Sequence, residues 1–146
     1  MTSPVRQILA DVKQALVTAA IVDPETNAAL DDDTIQIDYL PRFTPEDLKD
    51  LRIVVAPRQN SSQKISRVTR SLEIGIQIAV MQTAAADSER FQQLLDLAHD
   101  IDTALSQADL SSGTWSRSEV MLYDVEALER HGAFRSVITA YLKHRS

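Results

Sequence analysis

Apolar residues recur along the chain with two periods, one near 3.6 and one of 2, and their order predicts the elements. Val5, Ile8, Leu9, Val12, Leu16 and Ala19 fall at helical spacing, while Arg6, Gln7, Asp11, Lys13 and Gln14 fill the opposite side. Ser3 suits the cap of this helix. Pro4 suits its first position, where a missing N–H costs nothing. The helix should end near Ile21, because Asp23 precedes Pro24 and a residue before proline avoids the α region. Asp23 to Asp33 reads as a polar loop. Ile35 to Tyr39 alternates strictly, which predicts a strand, and Pro41 stops it. Thr44-Pro45-Glu46-Asp47 has the cap, proline and acids of a helix start; the short helix would turn Leu48 and Leu51 inward. Arg52 to Ala56 is the next strand, ended by Pro57, and its continuous apolar run fits burial on both faces.

No apolar period organises Arg58 to Thr69. Residues 58–70 therefore read as a flexible loop or arm, long for a hairpin connection. Leu72, Ile74, Ile76, Ile78 and Val80 then alternate with Ser71, Glu73, Gly75, Gln77, Ala79 and Met81. This predicts a long central strand in which Gly75 marks a bulge or a close backbone approach. Asp87 would cap the strongest helix, with Phe91, Leu94, Leu95, Ala98, Ile101 and Leu105 on its stripe. Trp115 to Tyr123 alternates loosely as a strand, with Val120 and Leu122 on one face. Val125 to Gly132 fits a helical turn closed by Gly132, and Phe134 to Lys143 alternates as the final strand. Strands that follow one another through loops favour antiparallel pairing, and the long helix offers one crossover. The predicted fold is a single α+β domain over residues 1–146. Its sheet is mostly antiparallel or mixed, with the N-terminal helix and the long central helix packed on one face.

Composition narrows the function. The 146 residues contain no cysteine and three glycines, Gly75, Gly113 and Gly132. Disulfide frameworks, cysteine zinc sites and thiol nucleophiles are excluded, as are glycine-rich phosphate loops. No window approaches the ~18 apolar residues of a membrane span, and nothing in Met1 to Pro4 predicts a signal peptide. Fifteen Lys and Arg stand against 21 Asp and Glu, a net charge of −6, which disfavours a dedicated nucleic-acid binder. The charge is zoned. Arg58, Lys64, Arg67 and Arg70 precede Leu72 without an intervening acid, and Lys143, His144 and Arg145 close the chain. Acids gather at Asp31, Asp32 and Asp33 and from Asp87 to Asp109. Solvated loops and helix faces carry such patterns; separated zones also allow head-to-tail association.

Candidate chemistry is sparse. His99, His131 and His144 share no metal-ligand spacing. His99 has Asp96, Asp100 and Asp102 within a helical turn, but on the polar side, where a solvated face is the ordinary explanation. Asp31 to Asp33 lacks the glycine and distal glutamate of a calcium loop and reads as an acidic turn. Asp38, Glu73 and Lys64 are the nearest residues to a nuclease set, yet no E-x-K follows a strand aspartate. No G-x-S-x-G occurs. The expectation is a protein without catalytic residues, cofactor or metal. Trp115, Tyr123, Phe134 and Tyr141 lie in or near the last strands, as core packing or as an aromatic patch at a subunit interface.

The order and spacing of several stretches resemble the tail-terminator, or tail-completion, proteins of long-tailed bacteriophages. They are the helix Val5 to Ala19, the Tyr39-Leu40-Pro41-Arg42-Phe43 turn, and Glu46-Asp47-Leu48 leading into Leu51 to Pro57. Ser66 to Ser71 follows, opening the strand Leu72 to Val80, then Asp96 to Ile101, and Tyr123 to Leu128 leading into Phe134 to Lys143. The resemblance spans nearly the whole chain and extends to head-closure and head–tail connector proteins. A metal-dependent nuclease or hydrolase is the remote alternative. The resemblance implies a virion structural protein of the siphovirus tail or neck, assembled in the host cytoplasm. Its subunits would form a ring, commonly a hexamer, on the head-proximal end of the tail tube. The ring would stop tube polymerisation and present a head-docking surface. Its partners would be its own copies, the tail tube protein and a head-completion or connector protein. DNA would pass through the lumen without specific binding, and no cofactor or membrane is implied. On this reading Arg58, Lys64, Arg67, Arg70, Trp115 and Tyr141 are candidates for the subunit or partner interface. Asp31, Asp32, Asp33, Asp96 and Asp100 are candidates for a lumen lining that repels phosphates.

Overall fold

A computed structural model of the chain describes residues 3–38, 46–58 and 73–144. The first helix, α1 (Pro4–Thr18), starts as its cap predicts: the Ser3 side chain accepts from the Arg6 N–H at 3.3 Å. Ile8, Leu9, Val12 and Leu16 are sealed inside. The helix stops at Thr18 rather than near Ile21. Ala20 takes a left-handed φ of 52°, which reverses the chain and turns Ile21 into the core. The expected polar loop holds a minimal hairpin, β1 (Val22–Asp23) against β2 (Ala28–Ala29), with Asn27 at φ 56° in its turn. Strands of two residues are too short to show a period in the sequence.

The main sheet contains β3 (Ile35–Ile37), β4 (Arg52–Pro57), β5 (Glu73–Thr83), β6 (Gly113–Met121) and β7 (Ala133–His144), in the order β3-β4-β5-β7-β6. The β3–β4 pair is parallel and the others are antiparallel, a mixed sheet in an α+β fold as the pattern predicts. Central β5 pairs with β7 from Glu73↔Lys143 to Thr83↔Ala133. Gly75 carries no bulge: it sits in register opposite Tyr141, and its carbonyl accepts from the Arg58 N–H at 3.0 Å. The irregularity lies instead between Trp115 and Arg117 on β6, at the sheet's edge, where a locally broken ladder costs least. A single 3₁₀ turn (Asp47–Lys49) precedes β4 and buries Leu48; Leu51 is half-buried. The predicted cap Thr44-Pro45 and the Tyr39–Phe43 turn lie outside the described residues.

Helix α2 (Glu89–Gln107) is capped by Ser88, one residue beyond the expected Asp87; the Ser88 hydroxyl accepts from the Phe91 N–H at 3.2 Å. Its buried stripe contains Leu97, while the expected Leu95 is only half-buried. At 100° per residue Leu97 lies nearer than Leu95 to the line through Leu94, Ala98 and Ile101. Helix α3 (Val125–His131) is capped by the Asp124 carboxylate and closed by Gly132, whose φ of 60° suits a residue without a Cβ. Helices α1 and α2 cover one face of the sheet. They enclose Ile53, Val55, Ile74, Ile76, Ile78, Val80, Phe134, Ile138, Ala140 and Leu142. The opposite face has a small apolar cluster of Leu48, Val54, Met81 and Ala133.

Candidate functional site

Strand alternation sends Gln77 on β5, Arg135, Thr139 and Tyr141 on β7, and Arg117, Glu119 and Met121 on β6 to the face away from the helices. Tyr141 lies between Gly75 and Arg117 in the ladder. Gly75 brings no side chain to compete with its ring. The Arg117 guanidinium carbon stands 3.9 Å from the ring centroid and that of Arg58 stands 5.5 Å away. Arg58 Nη1 also donates to the Tyr141 hydroxyl. The ring is thus held at 7% exposure on a face that, among the described residues, has no helix over it. Arg117 Nη1 pairs with Glu119 Oε1 at 3.3 Å. A shallow depression of about 410 Å³ adjoins, bordered by Gln77, Glu119, Met121, Arg135, Val137 and Thr139. Arginine and aromatic side chains are residue types enriched where protein surfaces meet.

Of the predicted interface residues, Arg58 and Tyr141 are brought together. Lys64, Arg67 and Arg70 lie outside the described residues. Trp115 falls on the other face of the sheet, packed against the helix-side core, with its indole N–H enclosed and, among the described residues, without an acceptor. Arg117 completes the stack and was missed. Its pairing with Tyr141 depends on a register that the β6 bulge displaces.

The acidic candidates separate into two places. Asp31 is occupied locally: its Oδ1 accepts from the N–H groups of Asp33 and Thr34 and from the Thr34 hydroxyl, at 3.1, 2.9 and 3.0 Å. The Thr34 bonds, backbone before side chain, hold its carboxyl below the usual carboxylate value. Asp32 pairs with Lys13 of α1 at 3.2 Å, and Asp33 follows in the same exposed turn. Asp96 and Asp100 are exposed on α2, where Asp100 borders a groove of about 630 Å³ shared with α1 residues Asp11, Gln14 and Ala15. Among the described residues, no group of three or more His, Asp or Glu is placed to hold a metal ion. No helix of the described residues is long and apolar enough to cross a membrane.

Two further features escaped the sequence reading. Arg90 on α2 is an ionic hub. Its Nη1 and Nη2 reach the two Asp23 oxygens at 2.6 and 2.9 Å, and its Nε lies 2.9 Å from Glu25 and 2.8 Å from Gln82. Burial pushes the Asp23 carboxyl up, but the Arg90 hydrogen bonds, the Glu25 N–H and the Arg90 charge outweigh it and hold it below its ordinary value. The hub fastens the small hairpin to α2 and β5. The second feature is an exposed apolar run at the end of edge strand β6: Val120, Met121, Leu122, Tyr123 and Val125, with Leu122 at 65% and Val125 at 53% exposure.

No family model and no curated protein matches the chain. Among solved structures, a chain from the virion of a native gene transfer agent particle is similar in fold, with a TM-score of 0.65 over 100% of both chains at 15% sequence identity.

Proposed function

We propose that this chain is a virion structural protein that caps the head-proximal end of a phage-type tail tube as a ring and presents the surface to which the head docks. The carrying observation is the end-to-end likeness to a chain of a gene transfer agent virion, with neither chain left uncovered. The tail-terminator resemblance of the sequence points the same way. The protein works by shape and contact, without catalysis or cofactor. Its partners are its own copies, commonly six in such rings, the tail tube protein below and a head-completion protein above. A ring closes when a patch on one copy meets a different patch on the next. The open sheet face around Arg58, Tyr141 and Arg117 supplies polar and aromatic contact groups for such a joint. Asp96 and Asp100 are exposed carboxylates that would repel DNA phosphates in a lumen. Asp31 and Asp32, already engaged with Thr34 and Lys13, are weaker lining groups.

Electron microscopy of purified tails carrying a labelled copy of the protein tests the reading. Label is expected at the head-proximal tube end, and particles lacking the protein should show overlong or headless tails. Label on heads alone would favour a head-closure role, and absence from virions would overturn the proposal.

A further inference from the structure

Strand β6 is an edge, with β7 on one side and, among the described residues, no strand on the other. Long edges invite pairing with a second chain unless something blocks them. The bulge between Trp115 and Arg117 disrupts the first part of this edge, but beyond it the register with β7 is regular from Arg117↔Tyr141 to Met121↔Val137. That regular part runs directly into the exposed apolar residues Val120 to Tyr123. It also carries one cation and one anion, Arg117 and Glu119, on the same face of the sheet with Ser118 between them.

We propose that the free protein forms a two-fold dimer in which the β6 edges of two copies pair antiparallel, centred on Ser118. The charges choose the register. Directly opposite residues in an antiparallel pair share a face, and like charges placed so are unfavourable while unlike charges are favourable. Centring on Arg117 sets two guanidinium groups against each other; centring on Glu119 sets two carboxylates. Centring on Val120 places Glu119 opposite Met121 and Arg117 opposite Tyr123, leaving both charges against apolar partners. Only the Ser118 centre places each Arg117 opposite the other copy's Glu119, twice by symmetry. Ser118 is small, and its hydroxyl is turned back to Asp102 on α2 at 2.8 Å, so it does not obstruct the axis. The ladder runs from Arg117 opposite Glu119 to its symmetry mate and is limited at each end by the bulge at Ser116. Met121, Leu122 and Tyr123 then extend over the other copy's bulge and lose their exposure. In the separate subunit Arg117 and Glu119 form an exposed pair with each other, at 55% and 69% side-chain exposure. The dimer exchanges two such pairs for two that the neighbouring strand shields.

This pairing does not depend on the ring. A self-complementary contact gives a closed dimer, whereas a ring needs two different patches. The dimer is therefore a state of the protein before it meets a tail tube.

The test is light scattering on the full chain across a dilution series. Wild type should be a dimer that dissociates on dilution. Arg117→Glu and Glu119→Arg each place like charges opposite one another and should each weaken the dimer about tenfold or more. Arg117→Glu also removes the stack on Tyr141, whereas Glu119→Arg leaves it in place, so the two together separate loss of pairing from loss of fold. Mixing the two variants restores unlike charges at every contact and should yield a 1:1 heterodimer. A monomeric wild type at every concentration would overturn the pairing. So would a dimer indifferent to both reversals, or a mixture that stays monomeric while each variant is folded. A monomeric free protein found at tube ends would leave the ring standing, whereas a dimer that is absent from virions would do the reverse.

Discussion

The two faces of the sheet are built from the same strands and obey different rules. On β7, Phe134, Ser136, Ile138, Ala140 and Leu142 point to the helices and have no exposed surface. Their neighbours Arg135 and Thr139 point the other way and remain accessible. The helix side is closed by shape: α1 and α2 seal a continuous aliphatic layer, and Phe134 meets Phe91 edge to face at 5.1 Å. Among the described residues the other side is closed only in places, by the small apolar cluster around Met81 and by specific polar contacts such as the two guanidinium groups on Tyr141. The difference separates labour. Stability resides in the helix face, while contact groups can vary on the open face at small cost to the fold.

The helix face should give the largest loss. Ile78 is central on the central strand and fully buried, so Ile78→Ala is expected to cost about 2–5 kcal/mol, through lost burial and the cavity left behind. Chemical denaturation measures it, and a loss below 1 kcal/mol would show that this layer does not hold the fold. The Arg90 hub comes next. Asp23→Asn removes the charge from a nearly buried bidentate pair and should cost about 1.5–3 kcal/mol at neutral pH. The sign with pH follows from the depressed carboxyl. Asp23 contributes stability above its unfolded value, near pH 4, and loses it as pH falls through its lower folded value. The gap between wild type and Asp23→Asn should therefore close in acid below about pH 4. A gap that stays constant to pH 2 would remove the pair from the account.

What the pattern made legible was whatever repeats. Helix α2 and strands β5 and β7 each contain several periods, so their existence and type follow from spacing alone, and so do their inward faces except for Leu97 in place of Leu95 on α2. Single events were not legible. The end of α1 depends on one alanine in a left-handed conformation, and the α2 cap shifts from Asp87 to Ser88 because two good capping residues adjoin. Arg90 and Asp23 are 67 positions apart and meet only because α1 and α2 lie side by side. The interface candidates fared unevenly for the same reason. Arg58 and Tyr141 meet across β5, whereas Trp115 lies on the far face because alternation on β6 restarts at the bulge. A loosely alternating strand beside a long helix is an edge candidate, and that signal could have drawn attention to Val120 through Tyr123.

The smallest expected effect falls on the open face and separates its two kinds of contact. Tyr141→Phe removes the oxygen that accepts from Arg58 and keeps the ring under Arg117. Arg58 has a further interaction besides this one. The loss should be about 0.5–1.5 kcal/mol, that of one net hydrogen bond. Tyr141→Leu also removes the ring's negative face and should add roughly 0.5–1 kcal/mol for the stacking. Denaturation of the two variants gives the difference directly. If Tyr141→Leu costs as much as Ile78→Ala, the open face supports the fold as strongly as the helix face, and its side chains are not at liberty to serve a partner. If both variants stay near 1 kcal/mol, the stack is a local clasp over Gly75, and changes there can tune contacts without threatening the subunit.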